Sequence, residues 1–579
     1  MRSTEREVAM HHNTEFRRIQ ETHNVTAGLR FIFTITLGVL SAANAMPAGK
    51  LSKDAREVPE GTVDVIVQFV NPPAAADLAR MAEKGGKLKS KFKHIPAALF
   101  AIPARALGAV ASVPNVAYIS PDRKVTGSLE FAEPTVGADI TFQYGWTGSG
   151  VGVAVIDSGI AALQPDLRPR VVYSESFVPD TPSTVDDYGH GTHVAGILAG
   201  NASSSTGPSF IHTFRGIAPS ANLINLRVLN GNGQGTDSSV ISAIERAIDL
   251  AKHYNIRVIN LSLGRTIHES YTLDPLCRAV EKAWQSGLVV VVAAGNNGRD
   301  DSMGTNGYGT ITSPANDPYV ITVGVMKDMS TVARGDDMMA SYSSKGPTLL
   351  DHTVKPDLVA PGNSIVSTLA SGSNIAQLYP NNLVPVSYYK SSSTQNSSSS
   401  YFRLSGTSMA APMVSGAAAL LLQKQPSMTP DQVKARLMKT ASKSFPATSF
   451  WVDPATGISR QITYDLFTVG AGYLDVWAAL NDSDLPSGVA LSPRAIYDAG
   501  TGKTSVVLAP GSVWQDAVVW GTAVVWGTNV IIDGTAVVWG TAVVWGTNTS
   551  QGFAVVWGTA VVWGTDVPFP ETVAVRGDP

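Results

Sequence analysis

Long apolar runs alternate with helix-forming segments through the middle of the chain. The runs lack the polar alternation of half-buried strands, so we expect them to be parallel strands buried on both faces. The predicted strands are 151–156, 171–173, 223–229, 257–262, 288–293 and 319–324. The predicted helices are 190–199, 237–253, 274–286, 408–424 and 430–440. This order predicts an α/β fold: a mostly parallel sheet with helices on both faces and a ligand site at the carboxyl ends of the strands.

Three segments place reactive side chains at the ends of such elements. Asp157 ends the apolar run that begins at Gly152, His190 opens a helix rich in small residues, and Ser408 lies in the first turn of an Ala-rich helix. A Gly-Thr-Ser before a helix is often only an N-cap, and a strand-end aspartate is often only a turn residue. Together, however, the three residues supply a nucleophile, a base and a group to orient the base, in one of the chain orders known for this chemistry.

Four motifs carry a family resemblance over roughly 135–480. They are Val-Ala-Val-Ile-Asp-Ser-Gly around Asp157, His-Gly-Thr-His-Val-Ala-Gly around His190, Ala-Ala-Gly-Asn-Asn-Gly around Asn296 and Gly-Thr-Ser-Met-Ala-Ala-Pro around Ser408. The chain thus resembles the subtilisin-like serine proteases, the subtilases. The resemblance implies that Ser408 attacks the scissile carbonyl, His190 moves its proton, Asp157 orients the imidazole, and Asn296 is an oxyanion donor together with the Ser408 N–H.

The resemblance also implies two rims for a peptide-binding cleft. One rim is the glycine-rich stretch containing Gly233 and Gly235, and the other is Ser262-Leu263-Gly264, which also forms a wall of the pocket for the residue before the cut. Glycine backbones let an extended peptide approach and pair as an added strand. Arg265 replaces a smaller residue of many relatives, which leaves the pocket preference open.

The chain before residue 129 has the features of a leader followed by a propeptide. Residues 1–45 combine arginines, a short apolar run and an Ala43-Asn44-Ala45 cleavage site, as in a secretory signal. Residues 46–128 show a β-α-β-α-β pattern, one strand short of a ferredoxin-like α+β sandwich. By resemblance this unit is an inhibitory, folding-assisting propeptide, and we expect the mature enzyme to begin between about Val125 and Thr135.

The charge, the cysteine count and the spacing of possible metal ligands limit which partners and cofactors are expected. The formal charge of −3 disfavours nucleic acid and anionic membranes, and no later segment is long and apolar enough for a membrane helix. Cys277 is the single cysteine, so no intramolecular disulfide is possible; we interpret it as a buried packing residue. Neither His193 nor the group Asp180, Asp186 and Asp187 has a spacing that defines a metal site. We expect no cofactor for the chemistry, no assigned metal ligand and, at most, an unassigned structural calcium.

Two regions differ from a minimal family member. Residues 371–400 form a Ser- and Asn-rich insertion before Ser408, interpreted as a solvated loop in preference to a substrate lid. Beyond the predicted catalytic domain, 129–484, the β-rich tail 485–579 repeats Val-Val-Trp-Gly-Thr. The six-residue period keeps each side chain on one face of a strand, as in a small stacked sheet. Arg576-Gly577-Asp578 matches an adhesion tripeptide, which we attribute to chance.

The sequence therefore predicts a secreted, monomeric serine endopeptidase that is made as an autoprocessed zymogen and acts on proteins or peptides. Its localisation is extracellular, or at the cell surface through the tail. Two alternatives remain open at this point: a subtilase that transfers acyl groups to amines, and an inactive domain that supports a surface-binding or assembly role of the tryptophan repeat.

Overall fold

A computed structural model describes most of the chain between residues 50 and 513. The described residues are 50–56, 58, 61–93, 95–122, 124–127, 135–329, 331–391, 400–452, 459–498, 503–513, 531–532 and 578. The predicted leader, 1–45, and nearly all of the tryptophan repeat lie outside them.

The N-terminal unit is a β-α-β-β-α-β sandwich. Its elements are α1 (Lys53–Arg56), β1 (Thr62–Phe69), α2 (Ala75–Glu83), β2 (Lys87–Lys91), β3 (Ala97–Pro103), a 3₁₀ turn (Ala104–Ala106), α3 (Leu107–Ala111) and β4 (Val116–Pro121). The sheet order β2-β3-β1-β4 is that of a complete ferredoxin-like unit. The sequence analysis was wrong in leaving this unit one strand short. It missed β2 because that edge strand is exposed along its whole length and has no apolar alternation.

The larger part of the chain is built on an eight-stranded sheet. The strands from residue 124 onward are β5 (Lys124–Gly127), β6 (Gly152–Asp157), β7 (Val171–Ser176), β8 (Asn222–Arg227), β9 (Gln234–Thr236), β10 (Ile256–Leu261), β11 (Leu263–Gly264), β12 (Val289–Ala293), β13 (Ile321–Lys327), β14 (Met338–Met339), β15 (Leu358–Pro361), β16 (Ile365–Thr368), β17 (Tyr401–Leu404), β18 (Thr448–Val452), β19 (Ser459–Thr463), β20 (Arg494–Asp498), β21 (Lys503–Val507) and β22 (Ile531–Ile532). The main sheet runs β14-β13-β12-β10-β6-β8-β7, with β15 also paired to β13. All of its pairings are parallel except β13 with β14.

The large domain also contains ten described helices, several of which pack on the sheet. They are α4 (Ala138–Gln143), α5 (His190–Ala199), α6 (Asp237–Tyr254), α7 (Pro275–Gln285), α8 (Asn374–Leu378), α9 (Val386–Tyr389), α10 (Thr407–Lys424), α11 (Pro430–Thr440), α12 (Leu466–Val469) and α13 (Val476–Asn481). The whole of α5 is buried, as is α10 from Thr407 to Leu422, which is why their sequences are apolar all round. The predicted mostly parallel α/β fold is confirmed, and none of the described helices is long and apolar enough to cross a membrane.

The N-terminal unit also contributes to the main apolar core. Ile66, Phe92 and Ile95 belong to the same buried cluster as the strands of the large sheet. Lys93 adds an ion pair to Asp249 of α6, with 2.5 Å between Nζ and Oδ1. The apolar contacts supply most of the attraction here, because an exposed ion pair contributes little.

The insertion at 371–400 is more ordered than the solvated loop we predicted. It forms α8 and α9, and the ring of Tyr389 is buried in a cluster with Phe210, Phe214 and Tyr401. Residues 392–399 lie outside the described part. Aromatic burial therefore fixes part of a segment whose composition alone indicated solvent exposure.

Residues beyond 484 continue to pack on the large domain. Ser492 donates to Asp357 at 2.5 Å, and Ala490 N donates to Asp431 at 2.7 Å. The strand pair β20–β21 follows, with β22 parallel to β21. Of the repeat, only Ile531–Ile532 is described, so the predicted stacked sheet remains a prediction.

Candidate active site

Asp157 and His190 form a buried hydrogen-bonded pair. Asp157 is the last residue of β6 and His190 is the first of α5. The His190 Nδ1 lies 2.6 Å from Asp157 Oδ1, and both side chains are at most 1% exposed. The Ser158 N–H donates to the same oxygen at 2.7 Å. The bond between His190 Nδ1 and Asp157 fixes the orientation of the imidazole ring and leaves Nε2 as the nitrogen that faces away from the carboxylate.

The close approach of α5 to β6 requires a glycine after His190. A Cβ at Gly191 would lie 2.2 Å from the Gly159 carbonyl oxygen and 3.1 Å from Asp157 Cβ. Neither group can move without displacing β6. The glycine of the His-Gly-Thr-His motif is therefore a packing requirement of the Asp157–His190 contact.

Asp186 holds the start of α5, a role that the sequence analysis missed. Its Oδ1 accepts from Gly189 N at 2.7 Å and from Ser158 Oγ at 2.8 Å, while Oδ2 accepts from Thr192 N at 2.7 Å. Burial raises the pKa of Asp186, and these hydrogen bonds oppose the rise. A carboxylate beside a helix N-terminus also interacts favourably with the helix dipole. The sequence does place an aspartate three residues before the N-cap Gly189, but Asp187 lies directly beside it.

The aspartates considered as cation ligands do not assemble into a site. Asp186 is used by α5, and Asp187 forms an ion pair with Arg227 at 2.9 Å. No group of three potential ligating side chains occurs within the described residues.

Ser408 lies at the N-terminus of α10, joined to the end of β10 by reciprocal hydrogen bonds. Its hydroxyl donates to the Ser262 carbonyl at 3.1 Å, and the Ser262 hydroxyl donates to the Ser408 carbonyl at 2.6 Å. Asn260 donates to the Ser262 hydroxyl at 2.9 Å and accepts from Ser415 of α10 at 2.8 Å. This network fixes the first turn of α10 relative to the sheet edge.

Asn296 is also fixed to the first turn of α10. Its Oδ1 accepts from Thr407 N at 2.9 Å and from Thr407 Oγ1 at 3.1 Å, and Gly295 N donates to that hydroxyl at 3.1 Å. With the amide oxygen held in this way, Nδ2 is the donor end of the side chain. The arrangement suits a donor that must be placed before charge develops nearby.

A segment of the chain itself lies between the two predicted cleft rims. Strand β5 pairs antiparallel with β9 on one side and with β11 on the other. The paired Cα positions are Val125 with Gly235, Thr126 with both Gln234 and Gly264, and Gly127 with Leu263. Three of the five predicted substrate-binding residues thus contact an extended peptide as strand partners, and Ser262 continues the rim to Ser408.

Gly233, the fifth predicted substrate-binding residue, is not a strand partner of β5. It lies in the turn before β9, with φ of +72°. A Cβ there would lie 2.6 Å from the Tyr188 ring. Gly233 therefore shapes the rim through a tight turn that packs on Tyr188.

The chain entering β5 is anchored on α6. Ser238 N donates to Asp122 Oδ1 at 2.7 Å, and its hydroxyl bonds to Oδ2. Burial raises the pKa of Asp122 to about 7; the bonds to Ser238 oppose this rise and the negative charge of Asp237 adds to it.

Arg265 points away from the cleft wall into a buried ion network. Its Nε lies 2.9 Å from Asp237 Oδ1 and its Nη2 lies 2.7 Å from Asp274 Oδ1. Asp237 starts α6 and Asp274 caps α7, so Arg265 joins two helix N-termini. Beside Gly264 and Gly295 lies Thr312, whose side chain fills the space that a Cβ on either glycine would need.

His193 and Cys277 are packing residues, as predicted. His193 is fully buried, with Nε2 3.1 Å from the Phe402 carbonyl oxygen. Burial, followed by the proximity of His190, lowers the pKa of His193 to about 3, so it is neutral at ordinary pH. Cys277 is fully buried and its pKa is raised well above the usual value by burial, which keeps it a thiol.

The insertion supports the loop before His190, which sequence reasoning also missed. Asn374 N donates to the Asp187 carbonyl at 2.9 Å, and Ile375 N donates to the Tyr188 carbonyl at 3.1 Å. The Asn374 side chain donates to the Gly231 carbonyl at 2.7 Å. Helix α8 therefore links the His190 loop to the turn before β9.

Comparison with known proteins gives consistent matches. The family model for the subtilase family matches residues 148–472. Serine protease AprX of Bacillus subtilis is 39% identical over 375 residues, covering 62% of this chain and 77% of that protein. Subtilisin E of B. subtilis is 36% identical over 422 residues, covering 72% and 91%. Fervidolysin from Fervidobacterium pennivorans, described as a keratinolytic enzyme related to subtilisin, has a similar fold, with a TM-score of 0.55 at 21% identity, covering 80% of this chain and 66% of that one.

Proposed function

Because this chain belongs to the subtilase family and is a serine-type endopeptidase, we propose that Asp157, His190 and Ser408 form its catalytic triad. Ser408 attacks the scissile carbonyl while His190 takes its proton and passes it to the leaving amine. Asp157 holds the imidazole tautomer and stabilises the imidazolium. The 2.6 Å bond between Asp157 and His190 is the observation that carries this assignment.

Asn296 and the backbone N–H of Ser408 are the proposed oxyanion donors. The Asn296 oxygen is held by Thr407, which favours an inward-facing Nδ2. The N-terminal end of α10 adds a positive potential at the same place. Such donors act because they are oriented before the tetrahedral intermediate forms.

The substrate is a protein chain that binds in an extended conformation. Strand β5 supports this proposal, because it occupies the space between β9 and β11 as an added strand. Gly235, Leu263 and Gly264 supply backbone partners for such a chain, and Gly233 shapes the turn beside it. No cofactor takes part in this chemistry.

We further propose that residues 46–128 are the inhibitory propeptide of a secreted zymogen that is monomeric and cuts itself. The N-terminal unit contributes Ile66, Phe92 and Ile95 to the main core, and its continuation lies along the cleft. From Gly127 the register of β5 leads toward Ser262 and hence toward Ser408. The bond cut on maturation should therefore follow shortly after Gly127, inside the range that the sequence indicated.

The test is the Ser408→Ala substitution in the full chain. The precursor should accumulate uncut, and hydrolysis of casein should fall on the order of a millionfold, the loss known for the subtilisin nucleophile. The exposed Ser427, near the end of the same helix, offers a matched control: Ser427→Ala should mature and hydrolyse normally. Normal processing by the Ser408→Ala protein would refute the proposed triad.

A further inference from the structure

Asp578, which follows the tryptophan repeat, has a buried side chain in contact with the catalytic domain. Its side chain is 2% exposed and bonds to Arg299 and Ser341, while its backbone bonds to Asn363. The adhesion tripeptide 576–578 therefore has no exposed aspartate to offer a receptor. The catalytic domain thus has a site that fits an aspartate.

The site recognises both the side chain and the backbone of Asp578. Oδ1 accepts from the Arg299 guanidinium and from Ser341 Oγ at 2.7 Å, and Oδ2 accepts from Ser341 N at 2.7 Å. Asp578 N donates to Asn363 Oδ1 at 3.0 Å, and the Asp578 carbonyl accepts from Asn363 Nδ2 at 3.3 Å. Charge-assisted bonds to both carboxylate oxygens are the strong kind, and the paired amide contact requires a peptide backbone.

The recognising side chains are held by neighbours other than Asp578. The Arg299 guanidinium stacks on Trp451 at 4.5 Å from the ring centroid, and its Nε donates to Ser341 Oγ at 2.6 Å. Tyr342 Oη donates to Asn363 Oδ1 at 3.1 Å. A receptor oriented in advance loses little entropy on binding, so the same site can bind and release an aspartate-bearing segment.

The site borders the loops that carry the proposed nucleophile and oxyanion donor. Ser405, three residues before Ser408, donates to Asn363 Oδ1 at 3.4 Å, and Gly406 N donates to the Gly362 carbonyl at 2.9 Å. Arg299 follows Asn296 by three residues. Strand β5, in contrast, approaches Ser408 along β9 and β11, which share no residue with this site. The aspartate site therefore lies next to the loop that leads to Ser408 and apart from the strands that pair with β5.

We propose that Arg299, Ser341 and Asn363 form a binding site for a peptide aspartate, on the side of the cleft by which the leaving peptide exits, and that Asp578 occupies it in cis. While bound there, Asp578 competes with substrates that extend beyond the cut. The proposal rests on the proposed function for the direction of the cleft, but the aspartate site itself does not depend on catalysis.

Binding is tested without catalysis, in the full chain carrying Ser408→Ala. The probe is a fluorescein-labelled, C-terminally amidated peptide of residues 574–579, and its partner peptide has Asn in place of Asp578. In the Asp578→Ala protein, fluorescence anisotropy should show at least tenfold tighter binding of the Asp peptide than of the Asn peptide. Asp566→Ala, which removes the same charge elsewhere in the tail, should bind both peptides equally weakly because its own Asp578 fills the site. Arg299→Gln, added to Asp578→Ala, should abolish the preference. Equal binding of the two peptides by the Asp578→Ala protein would overturn the aspartate site.

Competition with substrate is tested in the active chain. Asp578→Ala should lower KM severalfold for a peptide that extends four residues beyond the cut, relative to the Asp566→Ala control. It should leave KM unchanged for a chromogenic substrate that ends at the leaving group. An unchanged KM for the extended peptide would refute the cis-competition. Loss of activity toward both substrates would show that Asp578 stabilises the domain and would also refute the cis-competition, whereas failure of the proposed function is decided by Ser408→Ala.

Discussion

Replacing Arg265 with alanine should destabilise the catalytic domain without changing which residue it prefers before the cut. The guanidinium is 4% exposed and bonds to Asp237 and Asp274, whose carboxylates have no measurable exposure. The substitution leaves two buried negative charges without their shared cation. Because Asp237 begins α6 and Asp274 caps α7, both helix starts should be affected.

The magnitude follows from the cost of breaking a buried ion network. Removing one partner of a buried pair costs about 3–5 kcal/mol, since the remaining charge stays desolvated. Asp274 retains bonds from Leu276 N and Ser313 Oγ, which favours the lower half of that range. At about 2 °C per kcal/mol for a large domain, the expected decrease in Tm is roughly 6–8 °C.

The assay is urea unfolding of the full chain in a Ser408→Ala background, which prevents self-digestion. Arg246→Ala is the matched control, because Arg246 forms an ion pair with Glu175 while remaining 40% exposed. That control should lose less than about 1 kcal/mol. Separately, a library of peptide substrates should give the same order of preference for Arg265→Ala as for the parent. A stable Arg265→Ala protein with altered preference would show that the side chain belongs to the pocket and refute our interpretation.

Two further predictions concern groups that hold the site. Because the pKa of Asp122 is raised to about 7 when β5 is docked, docking takes up a proton and is strongest below about pH 4. Docking of β5 should therefore weaken as pH rises from about 4 to about 7. Hydrogen exchange at the Val125 and Thr126 amides of the Ser408→Ala precursor, corrected for intrinsic rates, should become faster over this range. The Asp122→Asn substitution should remove the pH dependence. The Asp186→Ala substitution removes the carboxylate that accepts hydrogen bonds from Gly189 N and Thr192 N. In steady-state kinetics it should reduce kcat at least tenfold with little change in KM. Asp187→Ala, which alters a half-exposed neighbour, is the control, and equal effects of the two substitutions would contradict a specific role of Asp186.

Much of the fold could be predicted from periodicity and capping. Helix α5 begins and ends where the sequence indicates, and the Thr429–Pro430 start of α11 is confirmed by a side-chain cap to Gln432 N. The strands of the parallel sheet are apolar because both faces are covered. Strand β2 was missed because an exposed edge strand needs no apolar alternation, and β15 because a four-residue strand within Leu358–Pro361 has no period to detect.

Site residues could be predicted from the sequence where the chemistry requires a particular residue type. They could not be predicted where the role of a residue depends only on its position in the fold. Asp157, His190 and Ser408 could be named because each follows a recognisable small-residue pattern at the end of an element. Asp186 could not be separated from its acidic neighbours, since its role depends on which carboxylate is buried beneath α5. The direction of Arg265 depends likewise on two aspartates, 28 residues before it and 9 after it in the chain, that only the fold brings together.

The hydrogen bonds of Ser262 and Asn260 link the residues that are recognised by their chemistry to the residues whose role depends on the fold. Ser262 is at once a rim residue for the bound strand and the partner of Ser408, through two reciprocal hydrogen bonds. Asn260 fixes Ser262 from within the sheet and fixes α10 through Ser415. The proposed peptide-binding rim and the helix that carries the proposed nucleophile are therefore parts of one network. A substrate that pairs with β11 is placed relative to Ser408 by bonds that exist before it arrives, which is the condition for orientation to lower a reaction barrier.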